Sequence, residues 1–486
     1  MTNISLDVVK VTIIIVTWNK RDDVLNLLDS LQSIASPNVT IVVIDNASSD
    51  GSVAAIRDRS LPVTLIENSE NLGGTGGFNT GIRYALNNLY QDYIWLLDND
   101  AEVKPDTLDK LVSVMEADGS VGIAGSCILD TIDRGLIVEA GGHIDERSAT
   151  WKPHLRYKLH SLYIGSPAID VDYVPACSAL VRRELFDVIG IMDERYFLHW
   201  DDVDFGRTAT KAGFRVVAVL DSMVHHGTEK GYSNTVLYFD VRNSLLFLAK
   251  HLSIGKRVLP MFRACLRSIM ASKLFELSGE KMLSWYLRQA VENFSAGRFG
   301  SAPLIPDQLN SLSNKNTDFA LCTAGAKSFV LFAVGCYADV VGAASVIRSS
   351  YPTVSITLAA PSDRLEVYKS CEAINDFISY DLARDGLWGS LNFVLNLLRL
   401  RFDCAVTAGT GFVVPFAFFV RRNIVISDGG RLVQESKISL GSFWKLPCAV
   451  VSGFFITLPI FLKCWMAGRK MSNSSRPDSG IARKTT

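Results

Sequence analysis

The sequence predicts an α/β protein built on a parallel sheet, with a second, smaller α/β unit towards its C-terminus. Three observations carry that expectation. Residues 11–16 (VTIIIV) and 40–45 (TIVVID) are short apolar runs rich in β-branched residues, the signature of strands buried on both faces. Helix-period stretches alternate with them. The same alternation restarts at residue 328 (FVLFAV, then a helix to 350, then VSITLAA).

Taken in order, 11–16 is the first strand and a helix follows with Val24, Leu25, Leu27, Leu28 and Leu31 on one face. Residues 40–45 are the second strand, and 46–52 form a turn of Asn, Ser, Asp and Gly. Residues 63–68 (VTLIEN) are the third strand, followed by a glycine-rich loop and a helix through 84–89. Residues 93–98 (YIWLLD) are the fourth. Residues 121–230 continue with less regular strands and one helix over 201–212, and 235–300 reads as helical. The polar stretch 310–318 is a linker candidate. FDCAVTAG and NIVISDGG add strands to the C-terminal unit. In open α/β sheets of this kind, functional side chains gather beyond the C-terminal ends of the strands.

The composition narrows the function classes. The 486 residues are 48% hydrophobic and 20% charged, which excludes a disordered chain. Mean hydropathy is +0.20, yet no run of about 18 apolar residues marks a membrane span. The net charge of −1 argues against nucleic acid as a partner. That sum hides an asymmetry. Residues 241–275 contain seven Lys or Arg and no acid, and 421–486 contain eleven basic and three acidic residues. Two basic, apolar segments suggest contact with an anionic surface. Nine widely spaced cysteines without a CxxC point to reduced thiols in the cytoplasm. The N-terminus does not read as a signal peptide.

Four motifs carry chemistry. LLDND (96–100) ends a strand in Asp98-x-Asp100, two hard oxygen ligands that suit Mg²⁺ or Mn²⁺ on a diphosphate; extended backbone would project both the same way. HWDDVDF (199–205) places Asp201, Asp202 and Asp204 at a helix start among Trp200 and Phe205. Helix capping is one reading; a general base with its pKa raised by apolar rings is the other. MVHHG (223–227) offers His225 and His226, which point to opposite faces of a strand, so one at most enters a site. ENLGGTGGFNTGIRYA (70–85) puts four glycines ahead of Asn79 and a fifth between it and Arg83, allowing close approach to a phosphate or sugar. It is neither a dinucleotide fingerprint nor a P-loop.

Together and in order, these motifs resemble a family 2 glycosyltransferase with a GT-A fold, over roughly residues 11–300. VTIIIVTWNK resembles the family's opening strand, VIDNASSDGS its nucleotide-binding turn and LDND its DxD motif. The segment 174–214 resembles the acceptor side. The resemblance implies an inverting enzyme. Asp202 would be the catalytic base, with Trp200 and Asp201 on the acceptor. Asp98, Asp100 and His226 would hold Mn²⁺ or Mg²⁺. Thr17, Asn19, Asp45, Gly76, Gly77, Asn79, Arg83 and Asp98 would line the nucleotide-sugar donor. NLGGTGGF, the Trp-Asp-Asp triplet and YFDVRNSLLF look most similar to bacterial galactofuranosyltransferases, which use UDP-galactofuranose. Rhamnosyltransferases using dTDP-rhamnose are the alternative, and a non-catalytic GT-A scaffold protein is a further one. A glycan or polyprenyl-linked acceptor at the cytoplasmic face of the inner membrane is implied, in bacterial surface polysaccharide synthesis. A nucleotidyltransferase would want a glycine- and lysine-rich N-terminal loop, which TWNKRDD does not offer.

The expected organisation is a GT-A catalytic domain over 1–232, a basic helical extension over 233–309 and an accessory Rossmann-like domain over 320–440. An apolar, membrane-associated segment over 443–468 and a basic disordered tail over 469–486 complete it. In the accessory unit, which loosely resembles the first βαβ of heptosyltransferase-like enzymes, only Asp339 stands out. For 443–468, a buried helix, an in-plane helix and a short span are all compatible with the sequence.

Overall fold

The computed structural model describes residues 9–227, 234–277 and 280–306, and in the C-terminal part 323–333, 337–362, 364–380, 402–408, 422–427, 432–435 and 446–472, with a few isolated positions. The expected linker at 310–318 and most of the basic tail lie outside the described residues.

The N-terminal unit is a ten-stranded sheet of order β10-β12-β6-β11-β4-β1-β2-β3, with β5 added to β12 and β7 to β6. The core strands are β1 (Val11–Thr17), β2 (Val39–Asp45), β3 (Thr64–Glu67) and β4 (Tyr93–Asp98), all parallel. Helices α1 (Arg21–Leu31), α2 (Ser52–Arg57) and α3 (Gly73–Asn88) connect them. The sheet beyond β4 is mixed rather than parallel. β11 (Ser178–Arg182) inserts antiparallel between β4 and β6 (Val121–Leu129), and β12 (Arg215–His226) returns parallel to β6. This switch follows from connectivity: β11 enters from a long excursion holding β7 (Ile137–Glu139), β8 (Gly142–Asp145), β9 (Thr150–Pro153) and β10 (Ile169–Asp170), not from a crossover helix.

Two apolar layers sandwich the sheet. Ile13, Ile15, Val43, Trp95 and Leu97 face one side, with α1 and the helix α4 (Thr107–Ala117). Ile14, Val42, Ile44 and Leu96 face the other, with α3, α5 (Arg183–Ile189) and α6 (Asp201–Lys211). Period-two alternation along each strand splits its side chains between the layers.

The glycine-rich stretch is helical, not a loop. Gly74, Gly76 and Gly77 lie within α3, which lets this helix settle onto the sheet. A Cβ on Gly77 would stand 2.5 Å from Val16 Cγ1 and 2.9 Å from Asn46 Nδ2.

After β12, the helices α7 (Asn234–His251), α8 (Val258–Leu277) and α9 (Lys281–Ser295) form a bundle. The helix Leu446–Ser472 completes it, packing along α8 and α9. Its buried positions are Gly453, Thr457, Phe461, Cys464 and Gly468, a three-to-four-residue spacing that makes one stripe. Phe461 meets Phe262 of α8 edge to face. The segment expected near a membrane is thus a bundle helix with one face covered. No helix among the described residues is long and apolar enough to cross a membrane. The bundle shares a core with the sheet unit through Tyr173, Tyr196, Trp200 and Val203.

The C-terminal α/β unit has the order β15-β14-β13-β16-β17-β18. β13 (Ser328–Ala333), β14 (Ser355–Pro361), β15 (Asp376–Tyr380), β16 (Cys404–Ala408) and β17 (Arg422–Ser427) run parallel, and β18 (Leu432–Glu435) antiparallel. Asp339 is buried in the first turn of the helix Tyr337–Ser350.

Candidate active site

Strand pairing brings together carboxylates and an imidazole that are far apart in sequence. Asp98 ends β4, the chain turns at 99–100, and β5 (Ala101–Val103) pairs antiparallel with the end of β12, His226 opposite Ala101. His226 Nε2 then lies 3.0 Å from Asp100 Oδ1 and 3.7 Å from Asp98 Oδ2. A turn, not extended backbone, aligns the two aspartates. His225 points to the opposite face, where Arg134 Nη2 stands 3.2 Å from its Nδ1 and also binds Glu102. Strand alternation puts the two histidines on opposite faces, with His226 on the side of Asp98 and Asp100.

The electrostatics of this trio are strained. Burial, with Asp100 and Asp201 nearby, lifts Asp98 to about 6 although His226 opposes it. Burial pushes the His226 imidazole down, but its hydrogen bond to Asp100 and the charges of Asp98, Asp100 and Glu139 prevail and hold it at about 9. Ligand atoms of Asp98, Asp100 and His226 all lie within 4.8 Å of one another. Two carboxylates and one imidazole form a donor set that fits Mn²⁺ or Mg²⁺, which would take over the role of the shared proton.

The second group opens α6. Asp201, Asp202 and Asp204 occupy its first turn. Before it, the backbone of Phe197, His199 and Trp200 is left-handed, with φ of 65°, 62° and 70°. Such conformations are costly for residues with a Cβ and persist where surroundings enforce them. Here the enforcement comes from α7. Asn243 Nδ2 donates to the carbonyls of Tyr196, Leu198 and His199 at 2.7–2.9 Å. Arg242 Nη2 donates to the carbonyls of Arg195 and Tyr196, and its Nη1 to that of Gly300. From below, Gly73 (φ +74°) admits the loop: a Cβ there would sit 2.2 Å from the Phe197 carbonyl oxygen. Asp204 is held by Lys250 (2.6 Å) and His251 (2.7 Å), and the Lys250 charge with the His251 hydrogen bond keeps its carboxyl low against the pull of burial.

Asn243→Ala removes one amide serving three carbonyls. It should lower stability by about 1–3 kcal/mol in urea unfolding and reduce kcat more than it raises KM, because the Asp202 loop loses its clamp. An unchanged kcat would show that α7 does not set the loop.

The two adjacent aspartates have different surroundings. Asp201 is buried and accepts from Thr75 Oγ1 at 2.7 Å, which ties α6 to α3. Asp202 remains partly exposed and accepts from the Val203 amide. Burial, Asp201 and Glu139 push Asp202 well above the usual carboxylate range. Trp200 requires a correction. Its left-handed backbone turns the indole into the bundle, where it is 3% exposed and packs on Phe247 at 5.3 Å. It supports the loop from behind and presents no free face to a sugar.

Of the residues expected to line the donor, Asp45 and Thr17 end β2 and β1 side by side. Asp45 is buried; Oδ2 accepts from the Ser48 amide, and Oδ1 has no hydrogen-bond partner among the described residues. Asn19 Oδ1 accepts from the Ser49 amide, stitching the two loops together. Thr17 Oγ1 accepts from Asn99. Asn79 is buried and spends its amide on Met192 and Glu194, and Arg83 pairs with Glu194. Gly76 and Gly77 are buried against Leu72 and Val16. Asn79, Gly76 and Gly77 position α3 and the 192–194 segment, whereas the Arg83 side chain stays 48% exposed beside Glu194.

Comparison with known proteins agrees with this geometry. The model of Glycosyl transferase family 2 matches residues 12–190. The chain is a glycosyltransferase whose residues 12–190 match family 2. The low-salt glycan biosynthesis hexosyltransferase Agl10 of Haloferax volcanii is 24% identical, covering 60% of this chain and 89% of that protein. Galactofuranosyltransferase GlfT2 of Mycobacterium tuberculosis is 24% identical over 48% of this chain, which spans only 40% of its length. The dTDP-rhamnosyl transferase RfbF of Shigella flexneri is 26% identical, over 49% of this chain and 79% of that one. The enzyme has the GT-A fold, on a mixed sheet.

Some residues of the enzyme's site were not singled out by sequence. Glu139, at the end of β7, is buried, with Oε1 unpartnered among the described residues and Arg156 3.7 Å from Oε2. Cys177 is buried; burial pushes its thiol up, and the charges of Asp98, Glu139, Asp100 and Asp202 add to that. Asp240 of α7 lies 3.9 Å from His199. A lone Glu before Ala-Gly-Gly carries no periodic or motif signal. Asp240 sits in a helix that reads as bundle, so only folding reveals either.

Proposed function

We propose that the enzyme is a metal-dependent inverting glycosyltransferase that transfers galactofuranose from UDP-galactofuranose to a glycan or lipid-linked glycan acceptor in bacterial surface polysaccharide synthesis. The observation that carries this reading is the meeting of two sites. A metal-type trio of Asp98, Asp100 and His226 feels the charge of Asp201, whose chain neighbour Asp202 is raised, partly exposed and follows a clamped loop. A bound Mn²⁺ or Mg²⁺ would supply positive charge against the nucleoside diphosphate as it leaves. Asp98, Asp100 and His226 would hold it. Asp202 takes the proton of an acceptor hydroxyl while that oxygen attacks the donor's anomeric carbon, in a single inverting displacement. Asp201, fixed by Thr75, keeps the helix start and its neighbour in place. Asp45 offers its unpartnered Oδ1 to a donor N–H of the nucleotide base.

Galactofuranose is favoured by the Trp-Asp-Asp triplet and the YFDVRNSLLF segment, whose Arg242 and Asn243 hold the catalytic loop. Donor screening by mass spectrometry on a synthetic lipid-linked acceptor tests this reading. Transfer from UDP-galactofuranose and not from dTDP-rhamnose is expected. The reverse would make the enzyme a rhamnosyltransferase, and no transfer from any nucleotide sugar would favour a scaffold.

A further inference from the structure

We infer that the enzyme docks onto anionic lipid bilayers through a composite face formed by the α7–α8 turn and the helix Leu446–Ser472. This goes beyond the proposed reaction and does not depend on which sugar is transferred.

The face is apolar where a soluble surface ordinarily is not. Ile254, Val258 and Leu259 at the start of α8 are 41%, 38% and 53% exposed. Leu458, Leu462 and Met466 on the C-terminal helix are 52%, 46% and 53% exposed. The latter three are four residues apart, so they form one stripe, beside the buried stripe of Gly453, Thr457, Phe461, Cys464 and Gly468. The two helices that carry these residues pack against each other. The Phe262–Phe461 contact and the approach of Gly468 to Met261 and Arg257 set the helices side by side and antiparallel. Contiguous exposed apolar surface on this scale marks an interaction site.

Charge selects the occupant. Lys256, Arg263 and Lys463 are exposed around these side chains, and none forms an ion pair among the described residues. The helix Leu446–Ser472 contains no acid, and neither does 241–275. A protein partner could bury the apolar stripe alone. An apolar stripe carried on two segments that hold cations and no acid matches the headgroup and acyl layers of an anionic leaflet, into which such a helix lies in plane. The long Lys463 side chain can lay its methylenes along the stripe and keep its charge at the headgroups.

The test is co-sedimentation of the full chain with vesicles of phosphatidylcholine alone and with about one third phosphatidylglycerol added. Binding at least about tenfold stronger to the anionic vesicles, released by salt, is expected. Leu259→Asp with Leu462→Asp should weaken binding by at least about tenfold. Lys256→Glu with Lys463→Glu should weaken it on anionic vesicles alone. Both pairs should keep the wild-type circular dichroism and donor affinity, since neither touches the catalytic loop. Equal binding to both vesicles, or none, overturns the inference. So does a shift of oligomeric state in the Leu259→Asp, Leu462→Asp chain with vesicle binding unchanged, which would make this face a contact between copies.

Discussion

Replacing Asp202 with Asn is expected to lower turnover by roughly 10²–10⁴-fold, the range a positioned general base supplies, while donor affinity stays within about twofold. Asn keeps the shape of Asp and can still accept the Val203 amide that Asp202 accepts at 2.7 Å. The loss would therefore report chemistry and not folding. The pH profile adds an independent readout. The base must be ionised to take a proton, and burial with Asp201 and Glu139 alongside raises its pKa. Activity should fall as pH drops through that raised value, well above the ordinary carboxylate range of about 4. Residual turnover of Asp202→Asn should lack this acid limb. Wild-type turnover in the variant, with substrates bound, would remove Asp202 from the mechanism.

The second large effect concerns the metal. Removing divalent cations with a chelator is expected to lower turnover by at least about 10³-fold, because a Lewis acid supplies several kcal/mol to the departing diphosphate, with recovery on adding Mn²⁺ or Mg²⁺. The adjacent histidines make the sharper experiment. His226→Ala removes one of three ligands and should weaken Mn²⁺ binding in calorimetric titration by about 10-fold or more. His225→Ala should leave it unchanged, because its ring faces Arg134 on the other side of β12. Loss of metal affinity in His225→Ala and not in His226→Ala would reverse the assignment, and an enzyme indifferent to chelation would refute a metal role for the trio.

Much of the fold was legible because its signals are local. The four strands β1 to β4 are continuous apolar runs, and their bounds in the structure differ from the sequence reading by one residue or so. The helical nature of 235–300 and four strands of the C-terminal unit were also readable, while β15, β18 and the role of the helix Leu446–Ser472 were not. Local signals misled where glycines serve packing. A glycine-rich stretch reads as a loop, yet the absence of Cβ atoms is what seats α3 against Val16 and Ile14. The antiparallel entry of β11 was not readable, since a strand's direction depends on how the preceding excursion closes.

The site divides the same way. By itself, the sequence determined which chemical groups are present and on which element each is carried: the Asp98-x-Asp100 pair at a strand end, the acid-rich start of α6, and a histidine pair on a strand. Tertiary structure alone decided which of them meet. The β5–β12 register selected His226, left-handed backbone turned Trp200 inward, and Asn243 and Arg242 of α7 fixed the loop that presents Asp202. The physical reason is range. Periodicity reports contacts within a helical turn or along a strand, whereas a trio whose members stand up to 128 residues apart exists only once sheet pairing has joined them.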